Sequence, residues 1–553
     1  PGSRRASRWG AGSTRPSLRL EEMAVVARFF PYHWLILGVL FTAVFILCWR
    51  VVRYYSDPGS RHAVSTMVIN LTVICALCSI ILIPVDIFTT ANDVHMVEIT
   101  QLYALVYLGL AASALVLSPF AYFWVEEADS GEEDCSSKTS SACKSTFVVL
   151  LMLCILLGAI LIIGERESSH VTTKEAANLW LQALADDQQR TARAYQALLW
   201  IVAAFTAVGF INLVFYGGFG LASLPVVLLR GHLGAEEEKL EWEFSRLKLR
   251  QEKQKLEKRF GRSTRGKERI AQLEHKIKIA EKRMHQLEKQ SGSGLYYYIA
   301  TIIAPFRLGI GLGLMVTSIL VVGTVGMVCL DRFFHSECGF SCGYMVDGHT
   351  KGMPNLIDML MVKLSEFFPL DYVVFLAIGL YLLLACAHGV GRMGIRFMGI
   401  EIFRIRRGKT AAQALLIGAG IVAVSALAVS VTLLSIAPQY VTFGHQTYIP
   451  KDGNGGRVAC EMGGIVGESE TCRLTHFSRF VGTQKLNNRL FGIAFFFGQA
   501  TFVGVSMVSL LHAFCRRKDG EFEADDLSDD DGEEMEGMGT LGDELRSLTE
   551  QDA

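Results

Sequence analysis

Apolar residues gather into nine long runs separated by polar stretches. The runs lie at about Trp34–Val52, Ala63–Phe88, Leu102–Trp124, Phe147–Ile163, Leu198–Tyr216, Leu308–Leu330, Leu370–Gly389, Ala411–Ile436 and Leu490–Phe514. About 20 apolar residues in a helix cover the roughly 30 Å hydrocarbon core of a bilayer. A backbone in lipid must satisfy its own hydrogen bonds, which a helix does within one segment. The pattern therefore predicts an all-α, polytopic integral membrane protein with about nine spanning helices.

Residues 198–229 are too long for one span, reaching about 48 Å as a single helix. The glycines of "YGGFG" (Tyr216–Gly220) are expected to break it. "LASLPVVLL" would then run along the interface or re-enter the membrane. Between the fifth and sixth runs the periodicity changes. Ile270, Leu273, Ile277, Ala280, Met284 and Leu287 alternate at three- and four-residue spacings, the seam of a coiled coil. Leu240, Phe244 and Leu247 give a shorter matching seam. "FGRSTRGKE" between them should turn the chain, so residues 235–290 read as an antiparallel helical hairpin.

Charge orients these elements. Lys and Arg near span ends favour the cytosol. Arg392, Arg396, Arg404, Arg406, Arg407 and Lys409 crowd the segment between the seventh and eighth runs. Arg404, Arg406, Arg407 and Lys409 are read as a cytosolic basic anchor. With nine spans, the N-terminus is then luminal and the C-terminus cytosolic. The hairpin becomes cytosolic, with 17 Lys or Arg against 11 Glu; it is a solvated arm or a docking element. The organisation expected is spans 1–5 over 23–230, the hairpin over 235–290, and spans 6–9 over 295–515. Luminal loops cover 331–368 and 437–488. Residues 519–553 are acidic and poor in apolar side chains, as in disordered tails. Arg- and Ser-rich residues 1–22 are expected to be a non-native or disordered extension.

With 51% hydrophobic and 19% charged residues, the chemistry on offer is sparse. Of 13 cysteines, Cys338, Cys342, Cys460 and Cys472 fall in expected luminal loops, where an oxidising lumen favours disulfides. Three pairings are open; Cys460–Cys472, which closes a short loop, is the first expectation. The sequon Asn70-Leu71-Thr72 lies inside a span and should carry no glycan. "RRGKT" (Arg406–Thr410) resembles the end of a phosphate loop, but Phe403 stands where the first glycine is required. "DGHTKG" (Asp347–Gly352) fits a D-x-H-x-x-G pattern, in a loop too short for the α/β domain it belongs to. No nucleophile elbow, metalloprotease helix or kinase set is found, and no catalytic or metal-binding residue is assigned. The chain reads as a non-enzyme, with the lipid bilayer as partner and no nucleic acid.

Two carboxylates stand out at the membrane edge, Asp86 in "IPVDIF" and Asp371 in "FFPLDY". Each follows a proline by two residues. A third such trio, Pro450-Lys451-Asp452, sits in plain turn sequence. Asp371 falls in the first turn of its helix, where a carboxylate is at home. Asp86 falls at the end of its run, where a helix terminus repels negative charge. It is the sharper candidate for a pH-sensitive or ligand-facing rim.

Several strings together carry a resemblance: "LIPVDIF" (Leu82–Phe88), "SPFAYFWVEE" (Ser118–Glu127), "GLASLPVVLLRG" (Gly220–Gly231), "FFPLDY" (Phe367–Tyr372), "RIRRGKTAAQALL" (Arg404–Leu416) and "LSIAPQYVTFGHQTY" (Leu434–Tyr448). In this order and spacing they resemble the limb-region-like, or lipocalin-receptor-like, membrane family. The resemblance implies a nine-span lysosomal membrane protein needed for cobalamin to leave the lysosome. It implies an ABC-type cobalamin transporter as partner, which the protein escorts. Cobalamin would be a transported ligand, with no covalently bound cofactor and no binding residues assigned. The alternatives are a direct solute transporter, or a plasma-membrane receptor as in the lipocalin-receptor branch.

Overall fold

A computed structural model describes residues 33–56, 62–92, 99–129, 135–169, 201–230, 306–335, 355–397, 400–403, 405, 410–448, 458–460, 472–481 and 489–515, with scattered positions between 243 and 281. The extension 1–22, Cys338, Cys342, "DGHTKG", the four basic anchor residues, Pro450–Asp452 and the tail 519–553 lie outside the described residues. The chain divides into two compact units, Pro1–Leu221 with Leu320–Ser506, and Ala222–Ile319 with Met507–Ala553.

Seven helices among the described residues are long and apolar enough to cross a membrane. They are α2 (Ala63–Asn92), α3 (Ile99–Ala128), α5 (Ile201–Leu229), α6 (within Arg307–His335), α8 (Leu370–Met393), α9 (Ala412–Ile436) and α12 (within Arg489–Cys515). The two other runs fall within long helices, α1 (His33–Tyr55) and α4 (Cys135–Ser169). Three short helices and two antiparallel strand pairs complete the larger unit's connections: α7 (Leu356–Leu364), α10 (Pro438–Phe443) and α11 (His476–Val481) are the helices. The pairs are β1 (Ile395–Phe397) with β2 (Ile400–Phe403), and β3 (Thr447–Tyr448) with β4 (Val458–Ala459).

Helices α2 and α9 form the centre of the larger unit, each with 61% of its spanning window buried. The reason is composition. α9 is rich in Ala, Ser, Val and Leu around its circumference, with Ala414, Ala419, Ala426, Ala428, Val429 and Leu433 all buried. A helix apolar on every side belongs inside a bundle or a membrane. Val52 of α1, Val68 and Ile69 of α2, Ala121 of α3, and Leu416 and Ala419 of α9 meet in one cluster. Serine and threonine hydroxyls along α2 and α9 bond backward to their own helix, as Thr72 does to the Val68 carbonyl at 2.8 Å. Asn70 does likewise, donating to the Thr66 carbonyl at 2.7 Å from a buried position. Asn70 and Thr72 of the sequon are thus buried in the bundle.

The glycine-rich stretch does not break α5. The helix runs on through it, with a single π-turn at Leu213–Gly217. "LASLPVVLL" continues the same helix, with Pro225 inside it, rather than lying in the interface. The glycines serve approach instead of interruption. A Cβ on Gly220 would strike the Ala385 carbonyl of α8, and one on Gly389 of α8 would strike the Tyr216 carbonyl of α5. A Cβ on Gly209 would meet the Val424 carbonyl of α9. Small residues let membrane helices close to backbone contact. A second π-turn, Ser113–Leu117, interrupts α3.

At the end of the bundle where α8 leaves and α9 enters, the β1–β2 hairpin covers Tyr216, whose hydroxyl accepts the Arg396 N–H at 3.0 Å. Thr410 joins Ser56 in a parallel bridge and donates its N–H to the Tyr55 carbonyl at 3.3 Å. In the smaller unit, Arg250 pairs with Glu281 at 2.6 Å, with Arg246 at 4.0 Å from the same carboxylate. The expected turn over 260–268 and most of the hairpin 235–290 lie outside the described residues.

Candidate functional site

The opposite end of the larger unit is closed by a cap made of α7, α10, α11 and the β3–β4 pair. Three buried or half-buried aspartates hold it. Each reaches a segment distant in sequence.

Asp358 lies on α7. Helix α10 begins Ala437-Pro438, and Ala437 has no side chain able to cap. Proline suits the first helical position because its missing N–H is not needed there. The next N–H groups, of Gln439 and Tyr440, need an acceptor. Asp358 supplies it at 3.4 and 3.0 Å. Burial pushes the Asp358 carboxyl up to about 6, against the opposing pull of the Tyr440 and Gln439 N–H groups.

Asp86 does the same for α11. Its oxygens accept the N–H groups of His476 at 3.2 Å and Phe477 at 2.7 Å. They also accept the hydroxyls of Thr90 at 3.2 Å and Tyr103 at 3.4 Å. A carboxylate has about four acceptor sites, so this fully buried group has its capacity used. The expectation that Asp86 stands at a helix terminus is therefore corrected. α2 continues to Asn92, six residues beyond it, so the terminal carbonyls lie elsewhere. What faces Asp86 is the N-terminus of another helix, which attracts negative charge. Thr475 completes the α11 start, accepting the Ser478 N–H at 3.2 Å.

Asp371 sits in the first turn of α8, as its spacing from Pro369 predicts. Its carboxylate nonetheless has a distant partner, accepting the Tyr440 hydroxyl at 2.9 Å. Burial raises the Tyr440 phenol well above its ordinary range, and the Asp371 charge adds to the effect. Tyr440 is fully buried, and its ring lies 5.4 Å from that of Phe375. Its N–H goes to Asp358 and its hydroxyl to Asp371, so two of the aspartates meet on one residue.

The two capped helices are joined. Thr475 gives its N–H to the Thr442 carbonyl at 3.1 Å and its hydroxyl to the Val441 carbonyl at 2.9 Å. Thr442 and Ser478 exchange a hydroxyl bond at 3.2 Å. Gln446 pairs with the backbone of Arg473 through both ends of its amide, at 2.8 and 2.9 Å. Beside it Cys460 and Cys472 form a disulfide with Cα atoms 6.1 Å apart. Phe477 stacks on Tyr103 and Phe480 on Tyr107. A cavity of about 10 Å³ remains between α11, Tyr107, Thr206 and Ser430, room for about one water.

Sequence reasoning found Asp86, Asp371, Cys460 and Cys472 but missed Asp358, Tyr440, Thr475 and Gln446. The one available signal was the start "IAPQY", where a helix begins at a proline without a polar cap residue. Among the described residues no group of three or more His, Cys, Asp or Glu is placed to hold a metal ion. The arrangement orders backbone; its aspartates are occupied by internal donors.

Long apolar helices packed through glycines, closed at one end by a side-chain-held cap, define a polytopic helical membrane protein. Residues 34–306 match the family model of the LMBR1-like membrane proteins. Relatives extend the similarity over nearly the whole chain. The chain is 27% identical to the chicken (Gallus gallus) lysosomal cobalamin transport escort protein LMBD1, over 92% of this chain and 99% of that one. It is 28% identical to the rat (Rattus norvegicus) protein of the same name, with the same coverage. A sea-anemone (Nematostella vectensis) protein named probable lysosomal cobalamin transporter is 26% identical, over 91% and 97%. No solved structure gives a significant match.

Proposed function

We propose that the protein serves the export of cobalamin from the lysosome to the cytosol, as an escort and assembly partner of a transporter. The observation that carries this is the end-to-end alignment with proteins of that name, covering nine-tenths or more of both chains. The finer reading is an ABC-type cobalamin transporter as the partner, with the N-terminus luminal and the C-terminus cytosolic. In that orientation the acid-facing end is the cap, which suits its disulfide. The arginine-bearing hairpin of the smaller unit then faces the cytosol, where it can dock.

The deciding experiment is affinity capture of the tagged protein from lysosomal membranes. An ABC transporter should come down with the wild type. Its absence from a well-folded, lysosome-resident preparation would remove the partner reading. The second reading, direct transport, is favoured by the name of the sea-anemone relative. Cobalamin flux through liposomes holding the purified protein alone would establish it and displace the escort role.

A further inference from the structure

Helix α7 is apolar on two sides. Its inner side buries Ile357 (2% exposed) and Met361 (0%) and turns Asp358 onto the start of α10. Its outer side exposes Leu356 (46%), Met359 (48%) and Leu360 (42%). A helix with apolar residues all round is stable only where something other than water meets the second face. The chain then turns through Phe367 and Phe368, both exposed, and enters spanning helix α8 at exposed Leu370. Val373, next along α8, is exposed too and belongs to a membrane-spanning segment. Along the chain, the exposed apolar residues of α7 are thus followed closely by those that open a membrane-spanning helix.

Two further observations fix the depth. Phe88, Phe368 and Tyr372 form an aromatic cluster, with ring centroids 5.7 to 6.1 Å apart. Aromatic rings collect at the membrane–water boundary. Lys363 is exposed one turn beyond Met359 and Leu360, placed to carry its ammonium up to phosphate headgroups while its stem stays in the apolar layer.

We propose that α7 is an interfacial membrane helix whose Leu356, Met359 and Leu360 insert at the headgroup–acyl boundary of the leaflet at the cap end. The proposal builds on the membrane reading of the chain and is independent of cobalamin. Its consequence is that one helix carries both the lipid contact and, through Asp358, the start of α10.

The test uses the full-length chain reconstituted in phosphatidylcholine vesicles with a phosphatidylglycerol fraction. A nitroxide is attached through a ketone-bearing noncanonical residue, which leaves the native cysteines untouched, at Met359 and separately at Leu360. Collisions with oxygen, which concentrates in lipid, are compared with collisions with a water-soluble nickel chelate. Val373 on α8 serves as the lipid reference and exposed Thr447 on β3 as the water reference. The oxygen-to-nickel ratio at both α7 positions should be several-fold above that at Thr447 and approach that at Val373. A water-like ratio at either position, or exclusion of both reagents, would overturn the proposal.

Discussion

Asp86 and Phe477 are 391 residues apart in sequence and joined by a 2.7 Å hydrogen bond from the Phe477 N–H to the carboxylate. The bond ties a spanning helix to a six-residue cap helix too short to hold itself. Asp86→Ala strands two backbone N–H groups and two hydroxyls. Each buried donor left unmet costs about 1–3 kcal/mol, so the loss should be several kcal/mol. Thermal unfolding of purified protein should show a large drop for Asp86→Ala and a smaller one for Asp86→Asn, which keeps one acceptor oxygen. Equal stability of Asp86→Ala and wild type would disprove the clasp.

Asp358 makes the cap respond to pH in a definite direction. Its folded carboxyl titrates at about 6, above the ordinary value of 3.8, so the folded state takes up the proton more readily. The stability gained is full below about 3.8 and is lost as pH rises through about 6. Acid therefore favours the folded cap at this group. Wild type should lose a few degrees of Tm between pH 4.5 and 7 that Asp358→Asn does not lose. Identical pH slopes in the two proteins would refute the assignment.

Tyr440 and Asp371 form a buried, charge-assisted bond. A double-mutant cycle with Tyr440→Phe and Asp371→Asn should give a coupling energy of about 1–3 kcal/mol. Simple additivity of the two changes would show the bond to be energetically idle.

Glycine positions separate by their surroundings. Gly220→Val pushes a side chain into the Ala385 backbone, whereas a Cβ at Gly323 meets nothing within 4 Å. Gly220→Val should abolish the monodisperse folded peak in size exclusion. Gly323→Ala should be neutral or stabilise by up to about 1 kcal/mol, since alanine favours the helix. A well-folded Gly220→Val would contradict the close approach of α5 and α8.

Opening the Cys460–Cys472 loop with paired serines should cost about 2–4 kcal/mol. The loss should concentrate in the cap, read as faster amide exchange at position 460 and at Arg473 than in α9. Uniform exchange across the bundle would argue against a locally held loop.

The spans were legible because lipid imposes a length and an apolar composition that any reader of the chain can see. Their interruptions were not. Glycine in "YGGFG" breaks a helix in isolation but permits backbone contact when Ala385 and Cys386 lie opposite, and only the neighbour decides between these roles. Asp371 was placed correctly in the first turn of α8, but nothing near it in sequence points to Tyr440. Asp86 was misjudged because "TTAN" carries α2 about one more turn past the apolar run. The backbone N–H groups it accepts open α11, near the other end of the chain. Helix α7 escaped notice for a related reason: nine residues in a long polar loop leave too short a periodic signal.

The π-turns at Ser113–Leu117 and Leu213–Gly217 act as phase shifters. Each inserts one residue beyond the α-helical count, about 100° of rotation at 3.6 residues per turn. Everything after Gly217 on α5 is therefore presented on a different bearing from everything before it. Gly209 meets α9 and Gly220 meets α8 along one rod aimed two ways. Deleting a single residue between Leu213 and Gly217 would leave the composition of the span almost untouched while swinging Gly220 off Ala385. In such a helix, a one-residue gap is a larger change than most substitutions.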